Sequence, residues 1–262
     1  MNHLIKLLFL ILLTIPAYSQ TPTEAKTVKV HGKNLYYEKY GKGSPLIFLH
    51  GYSLSSTHWK PYVSDFENDY EVYLIDLTGH GNSDPFREEL SIKSVAQDLQ
   101  VLIQHLQLKT IQAIGFSFGG DLLYQLALLQ PDLIKSMITI GAVGSWDVND
   151  FPKYLNGYKY ENRDQFPWLK TSHKSDETIK GLMEQFQNYT VFLSDEELQK
   201  IDSEVMIMMG DDDEGMDIEE VARVRKNLPN SDLWILPNVS HGAHQEENKD
   251  EFVLKSKSFL QK

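Results

Sequence analysis

The chain has 262 residues, a formal net charge of −12 and no cysteine. That length suits one large α/β domain carrying an insertion better than two domains. A surface this acidic repels phosphate backbones and anionic lipid, which argues against nucleic acid or a membrane surface as a partner; solubility alone accounts for the charge.

Met1–Lys6 is a short positive start, Leu7–Ile15 is an almost unbroken apolar run, and Ala17-Tyr18-Ser19 has a small-x-small cleavage pattern. Together they read as a secretory signal peptide over residues 1–19, leaving 20–262 as the mature chain. The apolar run is about half the ~20 residues that a spanning helix needs, so no stable membrane association is expected after cleavage. An uncleaved N-terminal anchor is the alternative. A lipoprotein anchor is excluded, because no cysteine follows the run. An exported chain of this size without cysteine fits a bacterial periplasm or medium better than a eukaryotic secretory route.

Beyond residue 27, apolar runs of strand length alternate with helical patterns. Val28–Val30 and Leu35–Tyr40 flank the turn residues Gly32-Lys33-Asn34 and predict a hairpin. Leu46–Leu49, Val72–Ile75, Ile111–Ile114, Met137–Ile140, Val205–Met209 and Leu233–Leu236 are short continuous apolar runs, as in strands buried on both faces. Helical spacing covers 92–106, 118–129, 219–228 and 249–260. Val95, Leu99, Leu102, Ile103 and Leu106 share one face of the first of these. The order predicts an α/β fold: a mostly parallel eight-stranded sheet with helices on both faces. The stretch from about 145 to 199 breaks the rhythm. It is rich in aromatics from Trp146 to Phe192, holds Pro152 and Pro167, and shows no strand signal. We read it as a small cap inserted after the sixth strand of a single domain. It would cover the carboxyl ends of the strands, where open α/β sheets bind ligands. Most of its aromatics are expected to pack the cap itself, and the remainder imply an apolar pocket wall.

Gly115-Phe116-Ser117-Phe118-Gly119 follows one of these strands immediately and opens a helix. Small residues two places either side of a serine permit a tight strand-to-helix turn that strains the serine backbone and lifts its hydroxyl clear of the sheet. The helix then begins at the nucleophile, with its first N–H groups facing developing negative charge.

With this elbow in place the chain resembles the α/β-hydrolase family, and the resemblance extends from about Lys29 to the end. Four other landmarks fall in the family's order. His50-Gly51 closes the third strand like an oxyanion loop, and Asp76-Leu77-Thr78-Gly79-His80-Gly81-Asn82-Ser83 follows the fourth. Gly210-Asp211-Asp212-Asp213 follows the seventh strand, and Leu236-Pro237-Asn238-Val239-Ser240-His241 the eighth.

The resemblance implies Ser117 as nucleophile, His241 as its base and Asp213 as the acid that orients the base. His50, Gly51, Gly115 and Gly119 would shape the supporting loops. The backbone N–H groups of Tyr52 and Phe118 would form the oxyanion hole, and the Tyr52 side chain would project towards the acyl side of the pocket. His244 rivals His241, and Asp211, Asp212 or Asp147 could supply the acid. The run Asp211–Glu214 also invites a calcium loop, but Gly215 falls one place early and no distal Glu is correctly spaced. No metal and no organic cofactor is implied. A serine at the elbow excludes the aspartate-dependent epoxide hydrolases and haloalkane dehalogenases of this fold. The resulting expectation is a serine hydrolase acting through an acyl-enzyme on a small apolar carboxylic ester, lactone or thioester. The alternatives are hydrolysis of a carbon–carbon bond beside a carbonyl, or a hydrolase-like binding protein with negligible turnover.

Overall fold

The computed structural model describes residues 21–262, so the expected leader lies outside the described residues. Strands β1 (Glu24–Val30) and β2 (Lys33–Gly41) form the hairpin. Its turn is His31-Gly32, both at positive φ, while Lys33 and Asn34 already belong to β2. A two-residue turn of that hand matches the twist of the flanking strands, which is why it wins over the longer turn read from the sequence.

The remaining strands of the main sheet are β3 (Ser44–Leu49), β4 (Tyr70–Ile75), β5 (Ile111–Phe116), β6 (Ile134–Ile140), β9 (Glu204–Gly210) and β10 (Ser231–Leu236). Their order is β1-β2-β4-β3-β5-β6-β9-β10. Only the pairings of β2, with β1 and with β4, are antiparallel. Successive residues of the central strands alternate between two cores. Ile47 and Leu49 face one and Leu46 and Phe48 the other; Ala113 and Ile114 divide likewise. Helices α2 (Ile92–His105), α3 (Phe118–Leu129) and α8 (Ile218–Asn227) cover the first face. A 3₁₀ turn at Ser56–Tyr62, α1 (Val63–Phe66) and α9 (Lys249–Leu260) cover the second. Burial on both faces is what makes the central strands uniformly apolar in sequence.

After β3 the chain turns one way to β4, then crosses back to place β5 on the other side of β3. The carboxyl ends of β3 and β5 therefore flank a topological switch point, where the two loops diverge and leave a crevice.

Between β6 and β9 lie the short strands β7 (Ser145–Asp147) and β8 (Thr190–Phe192), which pair antiparallel. Three-residue strands show no period in sequence, so the absence of a strand signal there was misleading. The same stretch carries α4 (Pro152–Gly157), α5 (Trp168–Ser172), α6 (Asp176–Gln185) and α7 (Asp195–Leu198). Leu169, Ile179, Leu182 and Met183 form a small separate core there. Ser175 caps α6 by accepting the Thr178 N–H at 3.1 Å.

Candidate active site

Ser117 stands between β5 and α3 with φ 51° and ψ −119°, a backbone conformation that side chains rarely adopt. The surrounding glycines make it attainable. A Cβ on Gly115 would approach the Gly119 carbonyl oxygen to 2.5 Å, and one on Gly119 would approach that of Leu49 to 2.5 Å. Both contacts are with backbone, which cannot swing aside. The turn is held by Ser117 N–H donating to Ile140 O at 2.7 Å and by Gly120 N–H donating back to Ser117 O at 2.8 Å.

The His50-Gly51-Tyr52 loop is fixed by a buried imidazole. Leu77 N–H donates to His50 Nε2 at 3.1 Å, so that nitrogen carries no proton and Nδ1–H donates to Gly51 O at 2.9 Å. Burial pushes the His50 pKa down to about 3, and the ring stays neutral. His50 is thus a scaffold for the loop. A Cβ on Gly51 would lie 3.4 Å from the Ser117 Cβ, so the loop runs directly against the elbow. Among the described residues the N–H groups of Tyr52 and Phe118 donate to no protein acceptor. These are the two amides expected to hold an oxyanion. Tyr52 lines the same cavity as Ser117, and its hydroxyl reaches the cap, donating to Leu182 O at 2.7 Å.

His241 follows β10 and lies beside Asp213, with Nδ1 2.7 Å from Oδ2. The carboxylate accepts, so Nδ1 carries a proton and donates it, which turns Nε2 away from Asp213. Asp213 is buried, and its other oxygen accepts Gly215 N–H at 3.0 Å. Two tight approaches place the histidine loop. A Cβ on Gly210 would fall 1.8 Å from Val239 O, and one on Gly141 2.8 Å from the His241 ring. Two of the rival acids are occupied elsewhere. Asp211 accepts Asn238 N–H at 2.6 Å, and Asp147 accepts Asn149 N–H at 2.9 Å. His244 is fully buried, faces His58 Nε2 at 2.8 Å, and burial holds its pKa well below that of a free histidine. A base needs access to substrate, which His244 lacks and the partly exposed His241 has.

Asp76 and Asp84 serve the loops. Asp76 accepts the N–H groups of Ser56 and Asn82, and Asp84 accepts that of Asn34.

Ser117, Asp213 and His241 all line one cavity of about 680 Å³, walled by Tyr52, Trp146, Phe186 and Tyr189 among others. One lining residue escaped the sequence reading. Asp121, buried one turn beyond Ser117 in α3, accepts Gly144 N–H at 2.9 Å and the Tyr189 hydroxyl at 2.6 Å. Its signal was present: the one charged residue of the helix Phe118–Leu129, four residues from the serine and so on the same face.

Comparison with known proteins agrees with this architecture. Residues 44–177 match the alpha/beta hydrolase fold family, and the chain belongs to that family. It is similar to a pimeloyl-[acyl-carrier protein] methyl ester esterase of Aeromonas salmonicida, with 30% identity over 128 residues that span 46% of this chain and 48% of that one. In fold it is similar to the carboxylesterase CesB of Bacillus subtilis, at TM-score 0.74 and 20% identity over 90% of this chain and 91% of that one. A meta-cleavage product hydrolase from Pseudomonas fluorescens gives TM-score 0.72 and 20% identity over 90% and 97%. At such identity the two structures speak to the fold alone. The protein is an α/β hydrolase.

Proposed function

We propose that this hydrolase cleaves carboxylic esters of small apolar substrates through an acyl-enzyme on Ser117. The observation that carries the reading is the convergence of a strained serine, the Asp213–His241 pair and Tyr52 on one cavity, with the amides of Tyr52 and Phe118 left unused. His241 Nε2 takes the Ser117 proton as the hydroxyl attacks the carbonyl carbon. Asp213 holds the ring in the required tautomer and stabilises the imidazolium that forms. The amides of Tyr52 and Phe118 and the amino end of α3 face the negative oxygen of the tetrahedral intermediate. The imidazolium then protonates the leaving alcohol, and a water activated by the same histidine releases the acid.

The test is stopped-flow hydrolysis of activated aryl esters of graded acyl length. We expect a burst of about one aryl alcohol per active site, followed by steady turnover. A single burst without turnover would mark a binding protein, and no release of aryl alcohol from any ester would overturn the reading. We further propose that residues 1–19 direct export and are removed, for which the N-terminal sequence of the protein recovered from its native host is the check.

A further inference from the structure

The cavity over Ser117 combines aromatic walls with a buried carboxylate that the ester mechanism does not use. Asp121 is 2% exposed, yet it borders the cavity together with Ser117 and His241. Its two hydrogen bonds come from neutral groups, the Gly144 amide and the Tyr189 hydroxyl. No lysine or arginine pairs with it among the described residues. Burial raises its pKa to about 6, against the hydrogen bonds from Tyr189 and Gly144 and the nearby His241, so towards neutral pH the group ionises with no lysine or arginine beside it. A buried charge left in that state is costly, and a cation delivered to the cavity would offset the cost.

The walls suit the same occupant. Tyr189 donates to the carboxylate, stands with its ring centroid 4.5 Å from Trp146, and stacks on Tyr52 at 5.6 Å. Aromatic rings around a site attract cations through the negative potential of their faces and tolerate poorly hydrated ones best. The charge balance of the lining points the same way. Asp212 and Glu214 join Asp121 and Asp213, against Lys153 alone. A neutral acyl group would leave Asp121 uncompensated, and an anionic one would be repelled.

We propose that Asp121 is a specificity-determining residue which makes the cavity prefer substrates bearing an alkylammonium group, most favourably a quaternary one. This rests on the acyl-enzyme reading above and revises its substrate class, from an apolar ester to one that carries a cation. The carboxylate sits one helical turn from the nucleophile, so the cation lies on the same bound molecule as the scissile carbonyl, within a few bonds of it.

The test uses matched activated esters that differ only in trimethylammonium against tert-butyl, one pair carrying the group on the acyl chain and one on the alcohol. Wild type should favour the cationic member of at least one pair by about tenfold or more in kcat/KM. Asp121→Asn, which keeps an acceptor for Gly144, should bring that ratio to about one. A residue that merely braced the loops would lower both members together; an unchanged ratio in the variant therefore overturns the proposal. Preference for tert-butyl in both pairs overturns it equally. If no ester turns over, the esterase reading fails on its own, and cation recognition is read by quenching of tryptophan fluorescence with tetramethylammonium. Saturable quenching in wild type, weakened about tenfold in the variant, supports the site; absence of saturable binding refutes it.

Discussion

Two carboxylates near Ser117 are buried for different ends, and substitution separates them. Asp213 meets an imidazole and a loop amide, which makes it the partner of His241. Asp213→Asn should lower kcat on the order of 10⁴-fold, because an amide permits the wrong tautomer and cannot stabilise imidazolium. Asp211→Asn and Asp212→Asn should stay within about tenfold of wild type, since neither carboxylate contacts the base. Asp121 is expected to show itself in stability. Burial raises its pKa from 3.8 to about 6. An acid with a raised folded value costs stability as pH climbs from the unfolded to the folded value, and the deficit is constant above. Here it amounts to at most about 3 kcal/mol, opening between roughly pH 4 and 6. The melting temperature of Asp121→Asn relative to wild type should therefore rise across that window and level off above it. A difference independent of pH would contradict the assignment.

At the scale of elements, the elbow and the cap each depend on one contact class. The elbow needs three backbone segments closer together than a Cβ allows. Gly119→Ala would drive a methyl group against Leu49 O and should cost about 2–3 kcal/mol, measured by denaturant unfolding, with loss of activity in the fraction that remains folded. The cap is tied to the loop 50–53 by the Tyr52 hydroxyl. His173 adds a second tie, accepting Gly81 N–H at 2.9 Å and donating to Ser53 O at 3.1 Å. Tyr52→Phe removes one such bond, worth about 1 kcal/mol, and should raise hydrogen exchange across residues 176–185 while leaving the sheet protected.

These elements were unequally legible in the sequence. The parallel strands are buried on both faces and so appear as short apolar runs, and helices 118–129 and 249–260 fall where their periodicity placed them. The hairpin turn did not, because His31 at positive φ carries no residue signal of its own. The cap strands are too short for any period, and which cap aromatics face the cavity is a tertiary fact. Of the candidate site, Ser117 was visible in its glycine-flanked turn, and His241 and Asp213 through the order of landmarks that the chain shares with the family it resembles. Asp121 was legible only as a lone acid on the Ser117 face of its helix, and its meaning comes from Gly144 and Tyr189, distant in sequence.

For the whole molecule, topology makes the site before chemistry does. The chain leaves β3 in one direction and β5 in the other, and Tyr52 and Phe118 follow the two strands that flank the resulting crevice. β9 and β10, farther along the sheet, bring Asp213 and His241 to the same edge, and the insertion between β6 and β9 closes the cavity from above. The claim that unites these parts is that Ser117 is the nucleophile. Intact-mass measurement after treatment with a fluorophosphonate, followed by peptide mapping, addresses it most directly. One adduct per chain on Ser117, abolished in Ser117→Ala and strongly slowed in His241→Ala, is the expected result. An adduct on any other residue, or a folded wild-type protein that takes none, would contradict it.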